Sequence, residues 1–323
     1  MSAASAGVLV LAVLVALGLG DYPMSPAQVV RAIVDPEAGF TRTIVLEWRL
    51  PRVLAAVVFG AALGLSGAMF QTLTDNPLGS PDVVGFSTGA YTGALVAMIV
   101  LGAGLAGATL GSLVGGIATA LLVYAFAFRR GVEGYRLIIT GIGVTAALGS
   151  VNVWILLVAG REEAMQAAMW GAGSLADVGV HDVAGSSACL VVLGAGVGLL
   201  ARGLRQLEMG DDTARAHGVR IETVRMAVIL VAVALVSVVT AVAGPIAFIA
   251  LSAPQIAARL ARSAGLPLVL SACVGAVLLV AADLVAAHVL PGGVTAGQVT
   301  VVVGGAYLLW LLVNSGTGRN RKA

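Results

Sequence analysis

A chain of 323 residues that is 59% hydrophobic and 11% charged lies far from the roughly 25% charged composition of a soluble globular domain. Its formal net charge is +2 and it carries no basic block, which argues against a nucleic-acid partner. Apolar runs of about 20 residues fill the chain, and they predict an all-α polytopic membrane protein, because backbone polar groups in hydrocarbon must be satisfied within helices.

In chain order, spans are expected near residues 3–20, 53–72, 83–101, 103–128, 135–159, 183–201, 226–243, 247–260, 267–289 and 297–313. That makes about ten transmembrane helices in a single integral domain over 1–323. The start, Met1 to Ser5, lacks the positive region of a secretory signal, so the first run is read as an uncleaved span. After it comes a polar stretch with Arg31, Arg42, Arg49 and Arg52 beside Asp35, Glu37 and Glu47. This stretch is expected to lie along the membrane surface as an amphipathic helix ending at Leu50–Pro51.

The eighth run is too short for a bilayer of about 30 Å, and Ala243–Gly244–Pro245 before it predicts a broken or partly entering helix. An even number of crossings places both termini on one side. The cytoplasmic side then receives Arg129, Arg130, Arg136, Arg202, Arg205, Arg215, Arg220, Arg225, Arg259, Arg262, Arg319, Arg321 and Lys322, in keeping with the positive-inside tendency.

Small-residue pairs at Gly60 and Gly64, Gly89 and Gly93, Gly107, Gly111 and Gly115, and Gly194 and Gly198 predict close helix contacts. Cys189 and Cys273 fall in apolar runs and read as small buried hydrophobes, with no disulfide framework. Lys322 is the only lysine, so the chain has no P-loop, whose lysine must reach the terminal phosphates. An ATP-driven reading therefore requires ATP and Mg on a partner ATPase. His181, His217 and His288 show no metal-ligand spacing, and no acid, base and nucleophile stand together. No cofactor, metal site or catalytic residue is assigned.

Polar groups inside apolar runs are the candidates for function. Asp283 is the acid most exposed to the lipid problem; it either lines a pathway or is a structural polar group that accepts hydrogen bonds from nearby helix groups, close to a span end at Pro291 and Gly292 where an acid can be hydrated. Ser66, Gln71 and Asn152 are candidates for a translocation path, with Thr72, Thr145 and Ser150 as lesser ones. Each hydroxyl has the alternative of bonding a carbonyl in its own helix. The charged segment near 205–220 contains Glu208, Gly210, Asp211, Asp212, Ala214, Arg215 and Gly218. Asp211 or Asp212 would cap a short helix punctuated by the two glycines, or the segment is a solvated loop. Composition alone leaves an ion-driven secondary transporter open.

Four ordered groups of residues narrow the choice. Arg49–Leu50–Pro51–Arg52 is followed by Gly60 to Gly67, Gln71, Asn76–Pro77–Leu78–Gly79, Pro81–Asp82 and Gly85. Trp170–Gly171–Ala172–Gly173–Ser174–Leu175 comes next, then Gly210 to Gly218. Ala243 to Ile249, Ala253–Pro254, Arg259, Ala282–Asp283 and Pro291 complete the set. In these residues the chain resembles the permease family of iron-siderophore, haem and vitamin B12 importers, the type II ABC importers. It departs from the pattern at Asp211, where glutamate is usual, at Gln255, where histidine is common, and at Ala306, where proline is common.

The resemblance implies a type II ABC importer permease bundle in the bacterial cytoplasmic membrane, working by alternating access. It implies as partners a second identical or related permease subunit, two cytoplasmic ATPase subunits and an external substrate-binding protein. Ferric siderophore is the expected cargo, with haem or cobalamin as alternatives. Glu208, Gly210, Asp211, Asp212, Ala214, Arg215 and Gly218 would couple to the ATPase, while Arg49 and Arg52 would dock the external binding protein.

Overall fold

The computed structural model describes residues 2–20, 22–127, 134–262, 265 and 267–319. Among the described residues every regular element is helical. In order these are α1 (Ser2–Gly18), α2 (Pro26–Val34), α3 (Phe40–Thr43), α4 (Leu50–Thr74), α5 (Phe86–Leu95), α6 (Gly104–Ala127) and α7 (Gly134–Val158). Then follow α8 (Arg161–Gly171), α9 (Val180–Leu207), α10 (Asp211–Ala216), α11 (Ile221–Ala243), α12 (Ile249–Ala261), α13 (Leu268–His288) and α14 (Ala296–Arg319).

Six helices are long and apolar enough to cross a membrane, and three shorter apolar ones are Gly7–Gly18, Phe86–Val100 and Ala296–Trp310. With α12 they account for the ten expected segments, and the protein is a multi-pass membrane protein. Arg129, Arg130, Arg321 and Lys322, expected on the cytoplasmic side, lie outside the described residues.

The segment after α1 differs from expectation. A short helix, α2, does form there: Ser25 accepts from the Gln28 amide, and the Gln28 side chain accepts from the Ser25 amide, closing a capping box. The chain does not stop at Leu50–Pro51, however; it is helical without a break from Phe40 to Thr74. A π-helical turn over Ile44–Arg49 lets the Leu50 amide bond back to Val45. That wider turn takes up the missing proline N–H, so Pro51 sits at the start of α4 without ending the helix.

α4 runs through the middle of the bundle and packs along α13, α11, α12 and α9. Glycine makes this possible. A Cβ on Gly60 would stand 2.4 Å from the Gly275 carbonyl oxygen, and one on Gly64 2.2 Å from that of Ser271, so α4 and α13 lie antiparallel with backbones in contact. Gly93 meets Gly111 and Gly115 in the same way between α5 and α6. Such approach earns dispersion contacts that lipid cannot supply.

Two expectations about small residues are corrected. Among the described residues, nothing beyond its own helical turn lies within 4 Å of a Cβ built on Gly194 or Gly198, so that pair seats no described helix. Cys189 is exposed and Cys273 half-buried, both free. In a membrane protein the outer surface is itself apolar, so an apolar run does not imply burial.

Candidate functional site

The polar groups gather at the two ends of α4 and at a break in the middle of the bundle. Positions 52 and 72 are 20 residues apart on one helix, about 30 Å at 1.5 Å per residue, close to the thickness of a hydrocarbon core.

At the first end, Arg52 on α4 donates from Nε and Nη2 to the two carboxylate oxygens of Asp283 on α13, at 2.8 and 2.9 Å. The Asp283 residue is 7% exposed. A bidentate guanidinium is the partner that lets a carboxylate leave water, so this acid is an interhelical tie: it accepts hydrogen bonds from a neighbouring helix, with Arg52 in place of hydration at a span end. Arg49 donates to the carbonyls of Leu17 and Tyr22 at 2.8 and 2.7 Å, fastening α1 and the segment after it to α4. A cavity of about 310 Å³ lies beside the pair, lined by Tyr22, Trp48, Arg49, Arg52, Asp283 and His288 among others.

At the opposite end, α9 turns at Glu208, Met209 and Gly210 into α10. Gly210 (φ 91°) and Gly218 (φ 78°) both occupy left-handed backbone, which only glycine adopts without cost. The expected carboxylate cap does not form: Gly210 is the N-cap and no side chain caps the helix. Instead both Asp211 oxygens accept from Arg225 Nη2 of α11, each at 3.0 Å. Asp212 pairs with Arg215 at 3.1 Å and its side chain is fully exposed. Ala214 is buried, while Thr72 of α4 donates to Glu208 at 3.4 Å. Gly265, between α12 and α13, sits so near that a Cβ there would be 2.5 Å from Glu208 Oε2.

Of the groups named for a path, Ser66, Gln71 and Asn152 are buried within the chain, at 0%, 3% and 6% exposed, whereas Thr72 and Thr145 are half-buried and Ser150 is exposed. Ser66 donates to the Ala232 carbonyl of α11 at 2.7 Å, reaching across helices and not within its own. Thr145 and Ser150 do bond carbonyls of their own helix. Gln71 donates to the Leu251 carbonyl at 2.9 Å and accepts from Gln255 at 2.6 Å. Asn152 Oδ1 is buried without a hydrogen-bond partner among the described residues.

Sequence reasoning missed the acceptor role of Asp211 toward Arg225, and the joining of Arg52 to Asp283. A lone arginine entering the apolar run of α11 is the signal for the first, since such a charge needs a partner. For the second there was the pairing of an arginine and an acid at the same depth of two spans. Among the described residues, no group of three His, Cys, Asp or Glu is placed to hold a metal ion.

The model of the FecCD transport family matches residues 8–314. The ferric enterobactin transport system permease protein FepG of Escherichia coli K12 is 48% identical over 295 residues, covering 91% of this chain and 89% of the relative. The achromobactin transport system permease protein CbrC of Dickeya dadantii is 35% identical, covering 94% and 89%. A solved structure described as an inward-facing conformation of a putative metal-chelate type ABC transporter superposes with a TM-score of 0.84 at 24% identity, covering 97% of this chain and 98% of the other. That last likeness establishes the fold. With a family model spanning nearly the whole chain and relatives of this identity, the chain belongs to the FecCD transport family.

Proposed function

We propose that the chain is the permease subunit of an ATP-driven importer that carries a ferric siderophore, ferric enterobactin first among the candidates, across a bacterial cytoplasmic membrane. The observation that carries this reading is the 48% identity to a ferric enterobactin permease over 91% of the chain. The permease works as one integral domain over 1–323, with both termini cytoplasmic. It pairs with a second identical or related permease subunit and stands on two ATPase subunits that bind ATP and Mg.

In this reading the Glu208 end faces the cytoplasm. Glu208, Gly210, Asp211, Asp212, Ala214, Arg215 and Gly218 form the surface that meets the ATPase, with Asp212 and Arg215 outermost. Arg49 and Arg52 form the outer end and receive carboxylates of the external binding protein. Two of the five N–H groups of Arg52 are engaged by Asp283, and the side chain is 29% exposed, which leaves donors for a docking partner. The path is assigned to Gln71 and Asn152, whose amides suit a polar cargo, and to Ser66 deeper in the helix contact.

The test is uptake by the purified complex in proteoliposomes, with binding protein outside and iron-55-labelled ferric enterobactin, a ferric hydroxamate, haem and cobalamin offered in turn. Uptake of ferric enterobactin that requires ATP hydrolysis is expected. Uptake driven by an ion gradient alone, or of haem or cobalamin in preference, would overturn the reading.

A further inference from the structure

The break between α11 and α12 holds an unusual backbone. Phe248 stands at φ 66° and ψ −19°, left-handed space that is disfavoured for a bulky residue and persists only where surroundings impose it. Three elements remote in sequence converge on it. Gly244, at φ 71°, packs on the Trp170 carbonyl at the end of α8. Gly304 of α14 leaves a notch for the phenyl group: a Cβ there would lie 2.2 Å from the Phe248 Cβ.

The third element is Asp82, in the segment joining α4 to α5. One of its carboxylate oxygens accepts from Ser87 Oγ in the first turn of α5, and the other from the Phe248 amide at 3.3 Å. The carboxylate therefore stands between the N-termini of two helices, α5 and α12. Both ends present partial positive charge, which an anion stabilises and neutral side chains do not.

The geometry points to Asp82 as a positioning residue for transport, holding Phe248 in its left-handed conformation and so fixing where α12 begins. What α12 carries depends on that origin. Gln255 reaches Gln71 of α4, and the Arg259 guanidinium lies 5.0 Å from the Trp310 ring of α14. A rotation at Phe248 would move both together. Ser87 is the auxiliary: it occupies the second carboxylate oxygen and orients the first.

Glycine adopts φ near +60° as readily as negative values, so a glycine at 248 removes the need for the carboxylate. This gives a thermodynamic cycle of D82A, F248G and the double variant in the assembled complex. Two readouts follow it: ATP-dependent uptake of iron-55 ferric enterobactin, and maleimide labelling of L260C in a C189S/C273S background. Only the uptake arm rests on the cargo reading, so a wild-type complex that refuses ferric enterobactin faults that reading and leaves labelling to decide this one.

D82A is expected to lower uptake about tenfold and change L260C labelling at least about threefold, with subunit assembly retained. In the F248G background the same substitution should change either readout less than about twofold, because interacting groups fail to add and uncoupled ones do not. A D82A effect of equal size in both backgrounds, or no effect in either, would overturn the inference. Should D82A fail to assemble, D82N is run through the same cycle, with the same two results deciding.

Discussion

At the Arg52 end of the bundle a guanidinium and a carboxylate close on each other across 231 residues of chain, and the acid is almost out of reach of water. At the Glu208 end the acids divide. Asp211 turns inward to Arg225, whose side chain is only 14% exposed, while its neighbour Asp212 remains outside with a local partner on its own turn. The same pairing chemistry thus does two jobs. In the first case a charge pair welds two long helices, α4 and α13. In the second it anchors a six-residue helix whose outer face stays free for something else. A helix that short has no stability of its own, so its position depends on Asp211, on buried Ala214 and on the two left-handed glycines.

The contrast can be broken first at the welded end. Asp283→Ala leaves Arg52 partly buried without its carboxylate, and truncating one partner of such a pair costs about 3 kcal/mol. Thermal unfolding in detergent should show a large fall in Tm, with Arg52→Ala/Asp283→Ala less damaging than Asp283→Ala alone. Equal losses would mean that the two groups do not act as a pair.

Between the ends, Gly67→Ala puts a methyl group 1.7 Å from the Ala250 carbonyl oxygen. The collision is with backbone, so α4 and α12 must separate, at about 2 kcal/mol for an overpacked contact. Unfolding curves that match wild type would show that this helix contact is not as close as described.

At the Glu208 end the effect on stability should be smaller and the effect on coupling larger. Asp211→Ala removes a partly exposed ion pair, about 1 kcal/mol or less, yet frees α10 from α11. Cargo moved per ATP hydrolysed should fall several-fold while the purified subunit keeps its Tm within a few degrees. The smallest change in stability is expected for Asp212→Ala, which leaves Tm unaltered but weakens the surface proposed to meet the ATPase. A loss of Tm larger for Asp212→Ala than for Asp211→Ala would reverse the assignment of inward and outward acids.

The six long membrane spans were legible because each contains a run of about 20 apolar residues, and hydrocarbon leaves the backbone of such a run no alternative to helix. What hydropathy cannot register is how a helix passes a difficult residue. Pro51 was expected to end a surface helix, and the π-turn before it let α3 and α4 become one rod. Arg52 and Asp283 were both singled out, but as a docking group and a separate polar residue. Their union needs α4 and α13 antiparallel with glycines facing, a three-dimensional register no local window contains. Gly194 and Gly198 carried the same spacing as Gly60 and Gly64 yet meet no other helix among the described residues, so spacing says that a face is smooth and not what lies on it. Asp82 was visible only as part of a motif, since its partner amide is 166 residues away.

The central claim is that the face bearing Asp212 is where the energy source attaches. It is tested most directly by placing a photocrosslinker at position 212 in the assembled importer and identifying the adduct by mass spectrometry. The account predicts an adduct with the ATPase subunit, and none when the same probe replaces Arg31 on α2. Adducts with the external binding protein from position 212, or no ATPase adduct from that position in an active complex, would contradict it.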